Sequence, residues 1–149
     1  MGQQQLLLLI LTTVIVGIAT AIAVTTFANS SAATNVDSVR QDLGNLATIA
    51  VTYHKRPELL GGGGGSFENI RFDDLKFGID TLNATGNVAR NDNGRYVITS
   101  ASADELVIIG NPRTDVRGLQ DVSNTSITDN ALQIVITPDD ASITQVNNN

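Results

Sequence analysis

Any chemistry in this chain would have to come from a short set of residues. His54 is the single histidine, followed by Lys55 and Arg56. One imidazole cannot build a multi-histidine metal site, and at the end of a helical segment the run reads as positive charge facing the helix C-terminal dipole. Asp73-Asp74 and Asp139-Asp140 are carboxylate pairs. Adjacent carboxylates in turns are usually solvated, and neither pair has the spacing of an EF-hand loop. Asn91-Asp92-Asn93-Gly94 carries oxygens that could meet calcium, but the same residues are a strong turn signal, and the turn is the reading taken. The five glycines Gly61 to Gly65 lack the following Lys-Ser/Thr of a phosphate-binding loop. They read as a flexible or tightly packed connector. No Ser-His-Asp or paired-carboxylate site can be assembled. We therefore assign no catalytic, cofactor-binding or metal-ligating residue, and the expectation is a protein that is not an enzyme.

Composition narrows the partners. The chain has 149 residues, a formal net charge of −6 and no cysteine. Without cysteine there are no disulfides, thiolate metal sites or thiol catalysis. An acidic chain with few aromatics lacks the clustered Lys and Arg that phosphate contacts require, which sets nucleic acid aside. No small-molecule substrate is expected either. Asn29, Asn83 and Asn124 begin Asn-X-Ser/Thr triplets, a pattern common by chance in an Asn- and Thr-rich sequence.

The charges are segregated. From Leu6 to Ala28 there is no charged residue, and as a helix such a segment spans roughly the 30 Å of a bilayer's hydrocarbon core. Thr12, Thr13, Thr20, Thr25 and Thr26 can bond back to carbonyls of their own helix. Gly17, Ala19, Ala21 and Ala23 are small enough to let neighbouring helices approach closely. A cleaved signal peptide would carry a basic N-terminal region, which Met1-Gly2-Gln3-Gln4-Gln5 lacks. Leu6 stands where N-myristoylation needs Ser or Thr. A simple single-pass anchor competes on hydropathy alone.

Beyond Ala28 the pattern becomes amphipathic. Val36, Val39, Leu43, Leu46, Ala50 and Tyr53 are spaced three and four apart in alternation, which draws one stripe along a helix. Asn35, Asp37, Ser38, Arg40, Gln41, Asp42 and Asn45 occupy the other face. No proline interrupts before Pro57, which disfavours helix at Arg56. The expectation is one helix from about Gln4 to about Lys55, roughly 75 Å long, with Asn29-Ser30-Ser31 as its weakest point. Phe67, Ile70, Phe72, Leu75, Phe77 and Ile79 then supply apolar mass to a segment of unassigned structure. Strands are expected over Arg95–Ser102, Glu105–Gly110, Ala131–Thr137 and Ala141–Val146, with turns at Asp92-Asn93-Gly94, Ala103-Asp104 and Pro138-Asp139-Asp140. The link from Asn111 to Asn130 reads as a loop crossing between two hairpins. About four antiparallel strands should pack on the helix stripe.

This order of parts resembles the type IV pilins: a short polar start containing glycine, an apolar helix turning amphipathic, a glycine-rich connector and a C-terminal antiparallel sheet. Val14-Ile15-Val16-Gly17-Ile18-Ala19-Thr20-Ala21-Ile22-Ala23-Val24 looks like the middle of a pilin N-terminal helix. The resemblance implies an α+β fold, a long N-terminal helix packed on a small C-terminal antiparallel sheet. Its parts would be residues 1–28, the apolar transmembrane and polymerisation half; 29–56, the amphipathic half; and 57–149, the β domain with its connector 61–65. It implies a structural subunit whose partners are copies of itself, held in the inner membrane before assembly and then in an extracellular filament on a prokaryotic cell surface, for adhesion or attachment. Leu6, Leu9, Val14, Gly17, Ala21, Val24 and Phe27 would form the polymer core, while Val36, Val39, Leu43, Leu46, Ala50 and Tyr53 pack on the sheet. Gly2 would stand for the family's cleavage-site glycine, with Gln3 the first mature residue. The sequence departs from the family at Leu7, where pilins carry a glutamate, and in lacking a helix-breaking proline and a C-terminal disulfide. A pseudopilin-like secretion component or a single-pass membrane-anchored extracytoplasmic domain is the alternative.

Overall fold

The computed structural model describes residues 2–113, 127 and 130–146. Helix α1 runs Gly2–Lys55. It continues through Asn29-Ser30-Ser31, the point where the sequence offers least support for helix. The chain divides into two compact units, residues 1–34 and 35–149, so α1 contributes to both.

In the second unit the stripe of α1 meets a sheet. Val39, Leu43, Leu46 and Ala50 are fully buried, and Val36 and Tyr53 are half-buried against the same core. The sheet has six strands in sequence order, each antiparallel to the next. They are β1 (Thr81–Leu82), β2 (Val88–Arg90), β3 (Gly94–Ala101), β4 (Leu106–Pro112), β5 (Leu132–Ile136) and β6 (Ala141–Gln145). The fold is α+β, one long N-terminal helix packed against an antiparallel C-terminal sheet. The four expected strands correspond to β3 to β6; β1 and β2 extend the sheet beyond the expected number. β4 and β5 pair directly. The crossing loop expected over residues 111–130 falls largely outside the described residues.

Register explains the packing. Ala89, Tyr96, Gly110 and Leu132 lie opposite one another across β2 to β5, and Ile98, Ile108, Ile134 and Ile143 form a second row across β3 to β6. Both rows belong to the core beneath α1. Alternation then sends Val88, Val97 and Ile109 to the other face, where they are buried too. A bulge between Ile98 and Ser100 takes up one residue of β3. Gly110 fixes how closely helix and sheet approach, since a Cβ there would lie 2.7 Å from Val39 Cγ1.

Between α1 and the sheet the chain forms a short 3₁₀ turn, Glu58–Leu60, and a one-turn helix α2, Phe72–Leu75. Phe67, Ile70, Phe72 and Leu75 are buried in the core. The carboxylate Asp74 caps α2, its Oδ2 accepting from the Arg71 amide at 3.1 Å, and Asp73 pairs with the Arg71 guanidinium at 3.2 Å. The pair is exposed to solvent and also holds the turn of α2.

Leu43 is wholly enclosed, so Leu43→Asp would replace buried apolar surface with an unpaired charge. The expected loss is about 4 kcal/mol or more, a large part of the stability of a small domain. Chemical denaturation of the variant should show no cooperative native baseline; a wild-type midpoint would contradict the helix-on-sheet core.

Candidate functional site

The residues expected to form a polymer core lie in the first unit, and among the described residues none is covered. Leu6 is 61% exposed and Phe27 is 76% exposed; Leu9, Val14, Gly17, Ala21 and Val24 are exposed as well. From Leu6 to Phe27, thirteen large apolar side chains are each more than half exposed. The segment is long and apolar enough to cross a membrane. Gly2 and Gln3 lie exposed in the first turn of α1.

The polar groups of this surface are already satisfied. Backbone N–H and C=O groups bond within the helix. The hydroxyls of Thr12, Thr13, Thr20 and Thr26 donate to the carbonyls of Leu8, Ile10, Val16 and Ile22 at 2.7–2.9 Å. Thr25 does the same toward Ile22 at 2.9 Å. Each threonine thus turns its hydroxyl inward, and the segment can enter an apolar surrounding without stripping water from an unpaired polar atom. Nothing lies within 4 Å of where a Gly17 side chain would begin.

The far end of α1 is closed by the glycine run. Gly63, Gly65 and Gly64 donate their amides to the carbonyls of Tyr53, His54 and Arg56 at 2.8, 2.8 and 2.9 Å. A helix leaves its last carbonyls without intrahelical partners, and here a folded-back loop supplies the donors. The connector is a tightly packed collar. Side chains would not fit at its middle: a Cβ on Gly62 would run into the backbone of Arg56, and one on Gly63 into the carbonyl of Ser66. Gly65 takes φ +91°. His54 lies in the last turn of α1, as expected of a helix-end residue. Its ring is buried against Phe67 with centroids 4.5 Å apart, while Lys55 and Arg56 are exposed.

Helical spacing places Asp42 on the face away from the apolar stripe, with no partner indicated. It is half-buried, and its Oδ2 accepts from Asn91 Nδ2 at 2.9 Å, Asn93 Nδ2 at 2.8 Å and the Tyr96 hydroxyl at 2.5 Å. Asn35 Nδ2 also reaches the Asn93 carbonyl at 2.7 Å. Within the turn, Asn91 Oδ1 accepts the amides of Asn93 and Gly94 at 2.9 and 3.0 Å. The Asn91–Gly94 segment is therefore a turn whose side-chain amides clamp α1 to the start of β3. No signal at Asp42 itself could have shown this, because its partners lie some fifty positions downstream. Burial, then the bond to Asp42 and its negative charge, push the Tyr96 hydroxyl well above the usual phenol range. Burial, then the charges of Asp74 and Glu58, raise Tyr53 as well.

The remaining motifs are absorbed locally. Asn83 Oδ1 accepts from the Val88 amide at 3.0 Å, and its Nδ2 donates to Thr85 and Asn87 at 2.7 and 2.8 Å. Asn29 is exposed on α1, and Asn124 lies outside the described residues. In the β5–β6 turn, Asp140 Oδ1 accepts the Ala141 amide at 2.8 Å and Asp139 is exposed. Among the described residues no group of three or more His, Asp or Glu side chains is placed to hold a metal ion.

A long apolar helix packed through its C-terminal half on a small antiparallel sheet is broadly consistent with pilin-like architecture. No family model, curated protein or solved structure matches the chain.

Gly62→Ala should lower the melting free energy by about 2 kcal/mol through overpacking. Gly44→Ala, on the exposed face of α1 with nothing within 4 Å, should be neutral or stabilise by about 0.5–1 kcal/mol. Equal effects would show that the collar is not closely fitted. Asp42→Ala strands three donors and should cost about 3 kcal/mol. Because the Tyr96 pKa is raised in the folded state, its contribution is complete below the ordinary phenol value of 10.0 and is lost as pH rises beyond it. The expected slope for this group is about 1.4 kcal/mol per pH unit. Tyr96→Phe should flatten that alkaline limb in denaturation curves between about pH 9 and 11.5. An unchanged slope would remove Tyr96 from the account.

Proposed function

We propose that the chain is a structural subunit of a type IV pilus-like filament, assembled through the apolar half of α1. The observation that carries this reading is the exposed, internally satisfied surface from Leu6 to Phe27. Returning its side chains to an apolar surrounding is worth on the order of 10–20 kcal/mol, taking each as about half exposed. Lipid supplies that surrounding to a newly made subunit; side-by-side helices supply it in a polymer. The proposal places the chain in the inner membrane first and then in an extracellular filament on a prokaryotic cell, with the second unit outward for adhesion or attachment. Its role is mechanical rather than enzymatic, and its partners are copies of itself. A lone membrane-anchored domain or a pseudopilin-like secretion component would use the same segment, which is long enough to cross a membrane.

Cohesion in this polymer is apolar. Leu7 replaces the family's glutamate, so no carboxylate pairs with a neighbour's terminal amine, and Gln3, Gln4 and Gln5 offer neutral amide hydrogen bonds instead. Residues 2–33 contain no titratable side chain. Formed filaments should therefore hold together in salt and between about pH 4 and 9. Negative-stain microscopy of surface material, with mass spectrometry of the filaments, tests the assignment. Gly17→Phe or Ala21→Phe should abolish filaments while leaving the second unit folded. Filaments that dissolve in moderate salt, or that tolerate both substitutions, would show that the apolar helix is not the core. Isolated membrane-bound subunits alone would favour the anchored domain.

A further inference from the structure

Two grooves run along the C-terminal half of α1, one on each side of the ridge formed by Thr48 and Thr52, which line both. The first is walled by Ala47, Val51 and Lys55 of α1 and by the β5–β6 turn with Asp139 and Asp140. The second is walled by Ile49, Tyr53 and Arg56 and by the end of α2 with Asp74 and Lys76. The grooves carry opposite charge. Two acids face one cation in the first, and two cations face one acid in the second. Asp74 is partly engaged, accepting the Arg71 amide. Arg56, Lys76, Asp139 and Asp140 are all exposed, and none makes an ion pair among the described residues. Lys76 is held at φ +45° at the end of α2, a conformation few non-glycine residues adopt.

We propose that these flanks form the lateral contact between successive copies, the Asp139-Asp140 turn of one docking against Arg56 and Lys76 of the next. This rests on the filament reading and says how its subunits find register. In a chain of net charge −6, copies repel one another unless their cations are turned toward a neighbour's acids. The contact joins two different surfaces, as an open helical polymer requires, rather than one surface to itself. Charge arranged this way governs encounter and orientation more than final strength. Salt should accordingly slow assembly while formed filaments persist.

The test uses the full chain in detergent, with assembly started by detergent removal and followed by light scattering and electron microscopy. Asp139→Lys/Asp140→Lys and Arg56→Glu/Lys76→Glu should each slow assembly on the order of ten-fold or more at low salt. Mixed in equal amounts, the two variants should assemble together at near the wild-type rate, because every contact is again between opposite charges. Arg56→Glu and Asp139→Lys alone, each at an exposed side chain, should show the same pattern with smaller amplitude, and thermal melts verify folding of every variant. Wild-type rates for both reversed variants, or no rescue on mixing, would overturn the proposal while leaving the filament reading intact. A wild-type chain that forms no filaments at all would overturn both.

Discussion

The incompatibility of residues 6–27 with water is the constraint from which the rest of the structure takes its meaning. A soluble domain disposes of apolar side chains by folding them against one another, as Leu43, Leu46 and the isoleucine row of β3 to β6 do. The first half of α1 has no such recourse, because its apolar residues surround the helix and none of the described residues covers them. Its backbone and threonine hydroxyls are already paired, so what remains is shape-tolerant apolar surface. Such a surface suits lipid and helix neighbours equally, which is why one segment can serve before and after assembly under the proposed function.

The second unit is built to hold the other half of the same helix. Three devices act on it from different sides. The stripe Val39–Leu43–Leu46–Ala50 is buried on the sheet, Asp42 gathers three donors, two of them from the turn before β3, and the glycine collar satisfies the last carbonyls. Each removes a different freedom: the apolar stripe fixes rotation about the helix axis, the clamp fixes sliding along the sheet, and the collar prevents fraying.

Much of this was legible in the residues because helix and hairpin periodicities are local. The three-and-four spacing from Val36 to Tyr53 identifies the helix stripe without reference to its partner. The alternation of Leu132, Ile134 and Ile136 likewise marks β5, and turn residues bracket β3 and β4. Strands β1 and β2 were not legible. With two and three residues they are too short to alternate, and they exist because Asn83 organises their turn and β3 supplies a ladder. The partners of Asp42 were not legible because a helical wheel reports only the angle of a residue; what reaches over the helix edge to meet it is decided by tertiary structure. The glycine run has no side chains to carry a pattern, so its order comes from carbonyls at the end of α1 and in the turn that follows it. His54 sits at the helix end as its place in the sequence indicates, but its contact with Phe67 depends on a residue beyond the glycine run and had no local signal.

The most direct test of the central claim is where residues 6–27 lie in the assembled particle. Electron cryomicroscopy of the polymer locates them without a mutation. The account predicts a dry axial bundle in which these segments from neighbouring copies run side by side at about 8–10 Å between axes, with residues 35–149 on the outside. A polymer held together through the β domains, with the apolar helices splayed outward or buried in attached detergent, would contradict it.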